Sequence, residues 1–374
     1  MPKIIFNLLF FITFIGCSQL EGIKTKILPT PKQEEVLKTV WVKNLDSSYL
    51  SGNVPIHFNG PLANDGAIFI GSSKEGFLSI DEKSGKILWK KQEKETYTSS
   101  PVVFENNIIY GTENGRVFSR KLINGELNYE IDLGASVDGT PIVSSGRLFV
   151  QLRNHQIFSL DAETGKIIWS YKKPVTNLTT IQGVGKGFVL DQKVIFGFAD
   201  GDLMAFRVET GDVVWERKIA SGADKFMDLN WDIIEYQGDL ATLDATGTIH
   251  LVSSSDGNIS HQFNVGASTN LLKINEDIYF GSQNGTVQKL DEHLSFNTVF
   301  KASKSTLTRI SFWKNRLIVG DINGLVNIYS FDEHKIIKNK LLGNELSTLF
   351  TSPSNGQLGG VLFFSSRGRL YYYQ

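Results

Sequence analysis

The chain has 374 residues, 41% of them hydrophobic, and a formal net charge of −1, which is enough apolar material for a large buried core. The near-neutral charge, without a Lys/Arg block or a basic helical stripe, excludes nucleic acid as an expected partner. The chain contains a single cysteine, which excludes a disulfide framework.

The N-terminal segment has the pattern of an export signal. An apolar run at residues 4–15 is too short for a transmembrane helix, which needs about 20 residues. It leads into Phe-Ile-Gly-Cys at 14–17, which resembles a bacterial lipoprotein signal, although Phe stands where Leu is usual. We therefore predict a signal peptide over 1–16 and lipid attachment to the thiol of Cys17. The alternative is an ordinary signal peptide with an incidental cysteine.

A polar segment follows the cysteine. Residues 18–38 contain Pro29 and Pro31 and show no sustained hydrophobic period. Such a segment is typical of a linker. We predict a lipid-anchored tether over 17–38 and a folded body over 39–374.

The folded body repeats one short unit, seen clearly at residues 194–215. Apolar runs at Val194–Phe198 and Leu203–Phe206 flank Asp200-Gly201, and a third run ends at Trp215 after a second glycine turn. Asp-Gly favours a tight hairpin because glycine accepts positive φ without a steric cost. The unit therefore predicts a three-stranded meander.

This unit recurs eight times, with its first turn residue 38 to 46 residues from the next. These turn residues are Gly76, Gly115, His155, Gly201, Gly247, Gly285, Gly324 and Gly368. Five second turns precede a bulky residue by four positions, at Trp89, Tyr129, Trp169, Trp215 and His261. Four short strands per 40 to 45 residues are typical of a β-propeller, in which such rings fill the space between blades. We predict an all-β, eight-bladed propeller of four-stranded antiparallel blades.

The two ends of the chain complement each other. The last repeat, Val361–Tyr373, stops after its third strand, whereas Trp41–Leu45 resembles the final strand of a blade, Trp215–Ile219. We predict that this N-terminal strand completes the eighth blade and closes the ring, because closure removes an exposed sheet edge.

Two connections between repeats are longer than the others, at residues 172–187 and 220–232. Functional residues concentrate on such segments. The two connections come from consecutive repeats and mix polar residues with apolar ones, among them Phe226, Met227 and Leu229. This composition predicts a partner-binding surface. The alternative is that both are only long connections whose apolar residues fold back on the core.

The search for catalytic motifs finds none. The six histidines, His57, His155, His250, His261, His293 and His334, lack metal-ligand spacing, and no nucleophile elbow, CxxC or EF-hand loop occurs. Asp81, Asp161 and Asp291 stand where an aspartate caps a turn through its side chain. We expect no catalytic residue, no cofactor and no metal site.

Two of the repeats carry a family resemblance. QIFSLDAETGKIIW at 156–169 and GDLMAFRVETGDVVW at 201–215 resemble the repeats of quinoprotein-type propellers. With eight repeats and a lipoprotein signal, the mature chain is similar to the BamB family of outer-membrane assembly lipoproteins. The resemblance implies a non-enzymatic scaffold of the BAM complex, anchored in the outer membrane and facing the periplasm. It also implies binding to the POTRA domains of BamA as a monomer within a hetero-complex, with nascent outer-membrane proteins as further ligands.

The same resemblance implies a set of partner-binding residues. The family contacts BamA through a Leu-Ser-Leu-Arg-Gly loop and an Asp-x-Asp loop. The first is similar to 179–183, where Ile181 and Gly183 keep the pattern and Gln182 replaces the arginine. The second is similar to Asp228-Leu229-Asn230, which keeps one acid.

Two other classes of function remain open. A glycan- or peptidoglycan-binding propeller would use Trp231 and Trp313 as aromatic platforms, because both stand outside the repeated phase. A pyrroloquinoline-quinone dehydrogenase would need a vicinal disulfide and calcium-ligand carboxylates on a much longer chain.

Overall fold

The structure is a computed structural model. It describes residues 37–45, 60–174, 185–220, 229, 233–341, 347–351, 359–365 and 368–374. These residues form eight four-stranded sheets with every neighbouring pair antiparallel, as predicted. Within those ranges, no helix is long and apolar enough to cross a membrane.

Each sheet is one blade, and seven blades use four strands that are consecutive in the chain. The chain begins with β1 (Thr39–Asn44). Blades 1 and 2 consist of β2 (Leu62–Asn64), β3 (Ala67–Ser72), β4 (Gly76–Asp81), β5 (Ile87–Lys91), β6 (Val102–Phe104), β7 (Asn107–Gly111), β8 (Arg116–Lys121) and β9 (Leu127–Asp132). Blades 3 and 4 consist of β10 (Ile142–Ser144), β11 (Arg147–Gln151), β12 (Gln156–Asp161), β13 (Ile167–Lys172), β14 (Phe188–Leu190), β15 (Lys193–Gly197), β16 (Asp202–Arg207) and β17 (Val213–Lys218).

The second half of the ring continues the pattern. Blades 5 and 6 consist of β18 (Ile234–Tyr236), β19 (Asp239–Leu243), β20 (Thr248–Val252), β21 (Ile259–Asn264), β22 (Leu272–Ile274), β23 (Asp277–Gly281), β24 (Thr286–Leu290) and β25 (Phe296–Lys301). Blades 7 and 8 consist of β26 (Leu307–Trp313), β27 (Arg316–Asp321), β28 (Leu325–Ser330), β29 (Lys335–Leu341), β30 (Ser347–Thr351), β31 (Val361–Ser365) and β32 (Arg369–Tyr373), with β1 as the outer strand of blade 8.

The core is divided among the contacts between consecutive blades, which we call seams. Each of eight hydrophobic clusters joins one blade to the next. In the seam of blades 3 and 4, for example, Phe149 packs with Phe196 and Phe206. The eighth cluster joins Tyr372 of blade 8 to Leu78 of blade 1. An apolar seam on both sides of every blade is what closes the ring.

The repeated aromatic residues lie in these seams, which confirms their predicted structural role. Trp169 is 8% exposed, and its Nε1 donates a hydrogen bond of 2.9 Å to the carbonyl of Val208 in the next blade. Its ring lies against Gly211, where an added Cβ would be 2.6 Å from the Trp169 Cδ2. The same contact joins Trp41 to Gly85, Trp89 to Gly125, Tyr129 to Gly165 and Trp215 to Gly257.

His261 is the exception, and its assignment to the seam series was wrong. Its side chain is exposed and stacks on Phe263 of its own strand, with ring centroids 5.9 Å apart. The next blade has no glycine at its second turn, where Asp291, Glu292, His293 and Leu294 stand instead. Without that glycine, the next blade lacks the surface on which the other rings lie.

In each of the eight blades, a β-bulge interrupts the register between the third strand and the outer strand that pairs with it. In blade 3, Leu160 pairs with Ile167 and Ser159 pairs with Trp169, so Ile168 is the extra residue. Ile167 and Ile168 are 44% and 41% exposed, whereas the ring of Trp169, the next residue, points into the seam. The bulge therefore turns the aromatic ring inward after two outward aliphatic residues.

The ring closes as the sequence predicts, with β1 paired to β32. Trp41 stacks on Tyr372 with centroids 5.5 Å apart, and the Tyr372 hydroxyl donates a 2.6 Å hydrogen bond to Glu82 of blade 1. Lys38 exchanges two main-chain hydrogen bonds with Gln374, and Leu37 is 1% exposed. Residues 37 and 38, which the sequence assigned to the tether, thus belong to the closing blade.

The unit that defined the repeat has the predicted strands with small shifts. β15 begins and ends one residue earlier than predicted, and β17 continues three residues past Trp215 to Lys218. Gly201 has the positive φ expected of its turn, at 85°, and His155 adopts 64° at the equivalent position of blade 3.

Candidate partner-binding site

Both long connections are attached to blade 4, at the turn between β15 and β16. The main-chain N–H groups of Ile219 and Ala220 donate to the Gly201 carbonyl at 2.9 and 3.1 Å. These bonds fix the start of the connection at 220–232, which we call the second connection. We call the connection at 172–187 the first connection.

Leu229 brings the second connection back to the same turn. Its N–H donates to the Phe198 carbonyl at 3.2 Å, and its side chain is 1% exposed. It packs on Gly197, where an added Cβ would be 2.7 Å from the Leu229 Cβ. Leu229 is therefore a core residue. Its predicted place among the apolar residues of a partner surface was wrong.

A buried lysine attaches the start of the first connection to the turn. The Lys173 side chain is 5% exposed, and its Nζ lies 2.8 Å from the Asp200 Oδ2 and also contacts Asp202. Glu216 is 3.3 Å away, and the ammonium lies over the Phe198 ring at 5.1 Å. Lys173 belongs to blade 3 while its carboxylate partners belong to blade 4, so the ion pair crosses a seam.

The protonation of this cluster follows from its contacts. Burial favours the neutral form of Lys173, but hydrogen bonds to Asp200 and Asp202 outweigh it and raise the lysine pKa. Burial likewise disfavours the charged form of Asp200, yet the lysine holds the pKa of that carboxyl below its usual value. Both groups are thus charged at neutral pH, and the bond between them is a charge-assisted one.

The far ends of the two connections also touch. The Ile233 N–H donates to the Lys186 carbonyl at 3.3 Å. The two connections therefore begin and end within one small region of blades 3, 4 and 5. The residues that the family resemblance singled out, Ile181, Gln182, Gly183, Asp228 and Asn230, lie outside the described residues, as do Cys17, Phe226 and Met227.

Gln151 lies at the same seam and is unusual for its position. Its side chain is 5% exposed, and its Nε2 donates to the Gly197 carbonyl at 3.0 Å. Its Oε1 is buried and accepts no hydrogen bond from any described residue. The last residue of the second strand is glycine in blades 2, 4 and 6, at Gly111, Gly197 and Gly281.

The ionisable residues elsewhere serve the fold. The Asp161 carboxylate accepts hydrogen bonds from the N–H and hydroxyl of Thr164, which lower its pKa, and Asp81 does the same with Ser84. Buried His250 contacts Asp244 at 2.9 Å. Within the described ranges, no group of three or more His, Cys, Asp or Glu side chains is arranged to hold a metal ion.

Trp313 does not form an aromatic platform. It is 5% exposed, its Nε1 donates to the Gly359 carbonyl at 2.7 Å, and it belongs to the core cluster between blades 7 and 8. Trp231, the other residue considered for that role, lies outside the described residues.

Sequence reasoning missed Lys173, although a signal was present. The residue four positions after the seam aromatic is aliphatic at Leu45, Leu133 and Ile219, whereas blade 3 has Lys173 there. Blade 1 also departs from the aliphatic pattern, because Glu93 stands at this position and pairs with Arg120 at 2.8 Å. A charged residue at this position therefore predicts a buried ion pair.

Comparisons with known proteins agree with the fold. A family model described as outer membrane protein assembly factor BamB matches residues 38–130 and 74–293. Outer membrane protein assembly factor BamB of Moranella endobia (strain PCIT) is 21% identical over 364 residues, covering 90% of this chain and 93% of that protein. The crystal structure of BamB from Moraxella catarrhalis has a TM-score of 0.74 at 19% identity, covering 91% of this chain and 100% of that one. Quinohemoprotein alcohol dehydrogenase from Comamonas testosteroni has a TM-score of 0.68 at 12% identity, covering 90% of this chain and 76% of that one.

Proposed function

The chain belongs to the family of outer membrane protein assembly factor BamB, and from that membership we propose that it is a non-enzymatic scaffold of the BAM complex. In this role it binds the POTRA domains of BamA and assists the folding and insertion of outer-membrane proteins. The observation that carries the proposal is the attachment of two long connections, side by side, to one turn of blade 4. Adjacent connections can form one continuous binding surface.

The proposed surface consists of Ile181, Gln182, Gly183, Asp228 and Asn230. Ile181 supplies the apolar centre, and the polar side chains supply the rim. Gln182 stands where the family has an arginine, so the hydrogen bond it offers the partner is neutral rather than charge-assisted. Leu229 is buried in the core, so the proposal assigns partner contact to Asp228 and Asn230 and not to Leu229.

We propose that the protein is held at the outer membrane by lipid on Cys17, with the propeller in the periplasm. The support is the Phe-Ile-Gly-Cys boundary and the serine that follows it, where an aspartate would be the inner-membrane retention signal in many proteobacteria. Stable attachment needs more than one acyl chain, since one chain gives only weak, reversible binding.

The absence of enzymatic activity is part of the proposal. Among the described residues, buried Lys173 contacts Asp200 and buried His250 contacts Asp244. The turn aspartates cap their own turns. The dehydrogenase likeness is one of fold. The inward position of Trp313 removes one of the two residues on which a glycan-binding reading depended.

Capture of the soluble POTRA domains of BamA tests the proposed surface. The double variant Ile181→Ala with Asp228→Lys should lose capture, because truncating a residue at the centre of an interface costs about 2 kcal/mol or more, roughly 30-fold in affinity. A matched control, Ile322→Ala with Glu113→Lys, changes exposed residues on turns of blades 7 and 2 and should keep capture. Both variants should melt at the wild-type temperature. Full capture by a folded Ile181/Asp228 variant would show that the surface lies elsewhere.

A further inference from the structure

The outer edges of the blades differ in charge. We call the segment from the second turn to the end of the outer strand the outer edge of a blade. In blade 1 this segment, 81–91, contains four lysines and two acidic residues, and in blade 8, which has β1 as its outer strand, residues 38–44 contain two lysines and no acidic residue. The outer edges of blades 3 and 4, at 161–172 and 207–218, contain equal numbers of basic and acidic residues. Blades 8 and 1 share a seam, so their outer edges together form a basic face.

Exposed aliphatic side chains lie among these lysines. Val40 and Val42 of β1 are 40% and 50% exposed, and Ile87 and Leu88 of β5 are 42% and 56% exposed. Val42 also departs from the repeat. The residue after the seam aromatic is polar in blades 1 to 5, at Lys90, Glu130, Ser170, Glu216 and Gln262. Packing within a blade therefore gives no reason for an exposed valine at this position.

Trp41 places the two outer strands side by side. Its Nε1 donates a 2.8 Å hydrogen bond to the Glu82 carbonyl, and a Cβ added to Gly85 would lie 2.7 Å from its ring. The two exposed valines flank Trp41 in β1, and Ile87 lies two residues after Gly85. The aliphatic residues and the lysines thus belong to one stretch of surface. We call it the basic edge; it consists of Val40, Val42, Ile87 and Leu88 with Lys38, Lys43, Lys83, Lys86, Lys90 and Lys91.

The charge of the basic edge is accessible to a partner. Its exposed lysines are Lys38, Lys83, Lys86 and Lys90. Lys90 contacts Glu75 at 3.3 Å, but both side chains are exposed, and such a pair contributes little. The Asp81 carboxylate accepts hydrogen bonds from the N–H and hydroxyl of Ser84, and Glu82 is buried. The two acidic residues of 81–91 are therefore engaged in the turn and the seam.

The predicted tether continues directly into the basic edge. Leu37 is buried and Lys38 is bonded to Gln374 through its main chain, so both belong to the closing blade. The 19 residues at 18–36 stand between this point and Cys17, and a linker of that length spans about 25 Å as a random coil. Lipid on Cys17 would hold blades 8 and 1 within that distance of the membrane. Exposed aliphatic residues combined with lysines are the composition that binds the interface of an anionic membrane.

We propose that the basic edge is a membrane-contact surface, which lies against anionic phospholipid headgroups when the protein is anchored. The inference rests on the proposed function, because the lipid on Cys17 is part of it. The lysines contact the headgroup phosphates, and the aliphatic side chains enter the boundary between headgroups and acyl chains. Blade 4, to which both long connections are attached, is opposite blade 8 in a ring of eight. Membrane contact at the basic edge therefore leaves the partner-binding surface accessible.

Sedimentation of the unlipidated mature chain, with Cys17→Ser, tests the basic edge independently of the anchor. The vesicles are phosphatidylcholine alone or phosphatidylcholine mixed with phosphatidylglycerol. One double variant, Lys86→Gln with Lys90→Gln, removes charge, and another, Val42→Thr with Leu88→Gln, removes apolar surface. The matched control is Val214→Thr with Ile168→Gln, because both residues are 41% exposed on outer edges without net charge.

The unlipidated chain should sediment with the phosphatidylglycerol vesicles and not with phosphatidylcholine alone, and added salt should weaken the binding. Each lysine near an anionic surface strengthens binding about fivefold, so the Lys86/Lys90 variant should bind about 25-fold more weakly. The Val42/Leu88 variant should also bind more weakly, and the Val214/Ile168 variant should bind like the wild type. All three should keep the wild-type melting temperature, since the changed side chains are exposed.

Hydrogen exchange of the lipidated protein on the same vesicles gives the second measurement. Exchange at 38–44 and 86–91 should be slower on phosphatidylglycerol vesicles than on phosphatidylcholine, whereas 167–172 and 213–218 should exchange equally on both. Equal sedimentation with the two kinds of vesicle, or an equal loss in the Val214/Ile168 variant, would overturn the inference. Loss of BamA capture by the Val42/Leu88 variant, with vesicle binding unchanged, would also overturn it and identify a protein-binding surface. If Cys17→Ser does not alter fractionation in cells, the proposed anchor fails, and sedimentation of the unlipidated chain still decides whether the basic edge binds anionic lipid.

Discussion

The contact between Trp169 and Gly211 gives a sharp test of how the seams are held. Gly211 has φ of 79°, and a Cβ there would lie 2.6 Å from the Trp169 Cδ2. Gly238 is the matched control: its φ is 84°, and an added Cβ would meet nothing within 4 Å. Gly211→Ala therefore combines backbone strain with a collision, whereas Gly238→Ala has the strain alone.

The backbone strain and the steric collision cost different amounts of free energy. Alanine at positive φ costs about 1 to 2 kcal/mol, which is the expected loss for Gly238→Ala. Forcing a methyl group against a packed ring adds about 1 to 3 kcal/mol, so Gly211→Ala should lose about 2 to 5 kcal/mol. In a Trp169→Leu background the collision disappears, and Gly211→Ala should again cost only about 1 to 2 kcal/mol.

Chemical denaturation, monitored by circular dichroism, measures the free energy of unfolding of the wild type and of four variants. These are Gly211→Ala, Gly238→Ala, Trp169→Leu and the Trp169→Leu/Gly211→Ala double variant. The coupling energy between positions 169 and 211 is the stability loss of the double variant minus the summed losses of the two single variants. For residues in contact it is commonly about 0.5 to 3 kcal/mol. Equal losses for Gly211→Ala and Gly238→Ala would refute the idea that this ring-on-glycine contact constrains the seam.

Three further predictions concern the ends of the chain and its turns. Cys17→Ser should move the protein from the outer-membrane fraction to the soluble periplasm or leave it uncleaved, as fractionation would show. Deleting 18–36 should leave the melting temperature unchanged, whereas deleting 41–45 should lower it strongly, because that strand closes blade 8 and carries the Trp41 contact with Tyr372. Since the pKa of Asp161 is lowered by folding, its contribution to stability is present above its unfolded pKa of about 3.9 and is lost as pH falls through the folded value. Asp161→Asn should therefore reduce the acid dependence of unfolding, and an unchanged pH profile would contradict this assignment.

The fold was predictable because its signals repeat. Turn glycines and seam aromatics return at a nearly constant interval, so an error in one copy, such as His261, leaves the count of blades intact. The closing strand was predictable for the same reason, since Trp41–Leu45 carries the pattern of an outer strand.

The site was less predictable because its residues depart from the repeat. Lys173 meets Asp200 and Asp202 across a seam, and no spacing in the sequence announces that pairing. Leu229 was misassigned because an apolar residue in a connection has no period to show whether it points inward; its contact with Gly197 decided the matter. The free amide oxygen of Gln151 is visible only once the strand and its neighbours are placed.

The bulge in the outer strand of every blade affects how readily another chain could pair with that strand. A straight outer strand would present an unbroken row of N–H and C=O groups, and the ring would offer eight such templates. The extra residue interrupts each row after a few positions, as Ile168 does in blade 3. In the proposed role beside nascent barrel strands, an unbroken outer edge would be a site for unwanted pairing with an unfolded chain. The bulges would limit such pairing at each of the eight described outer strands.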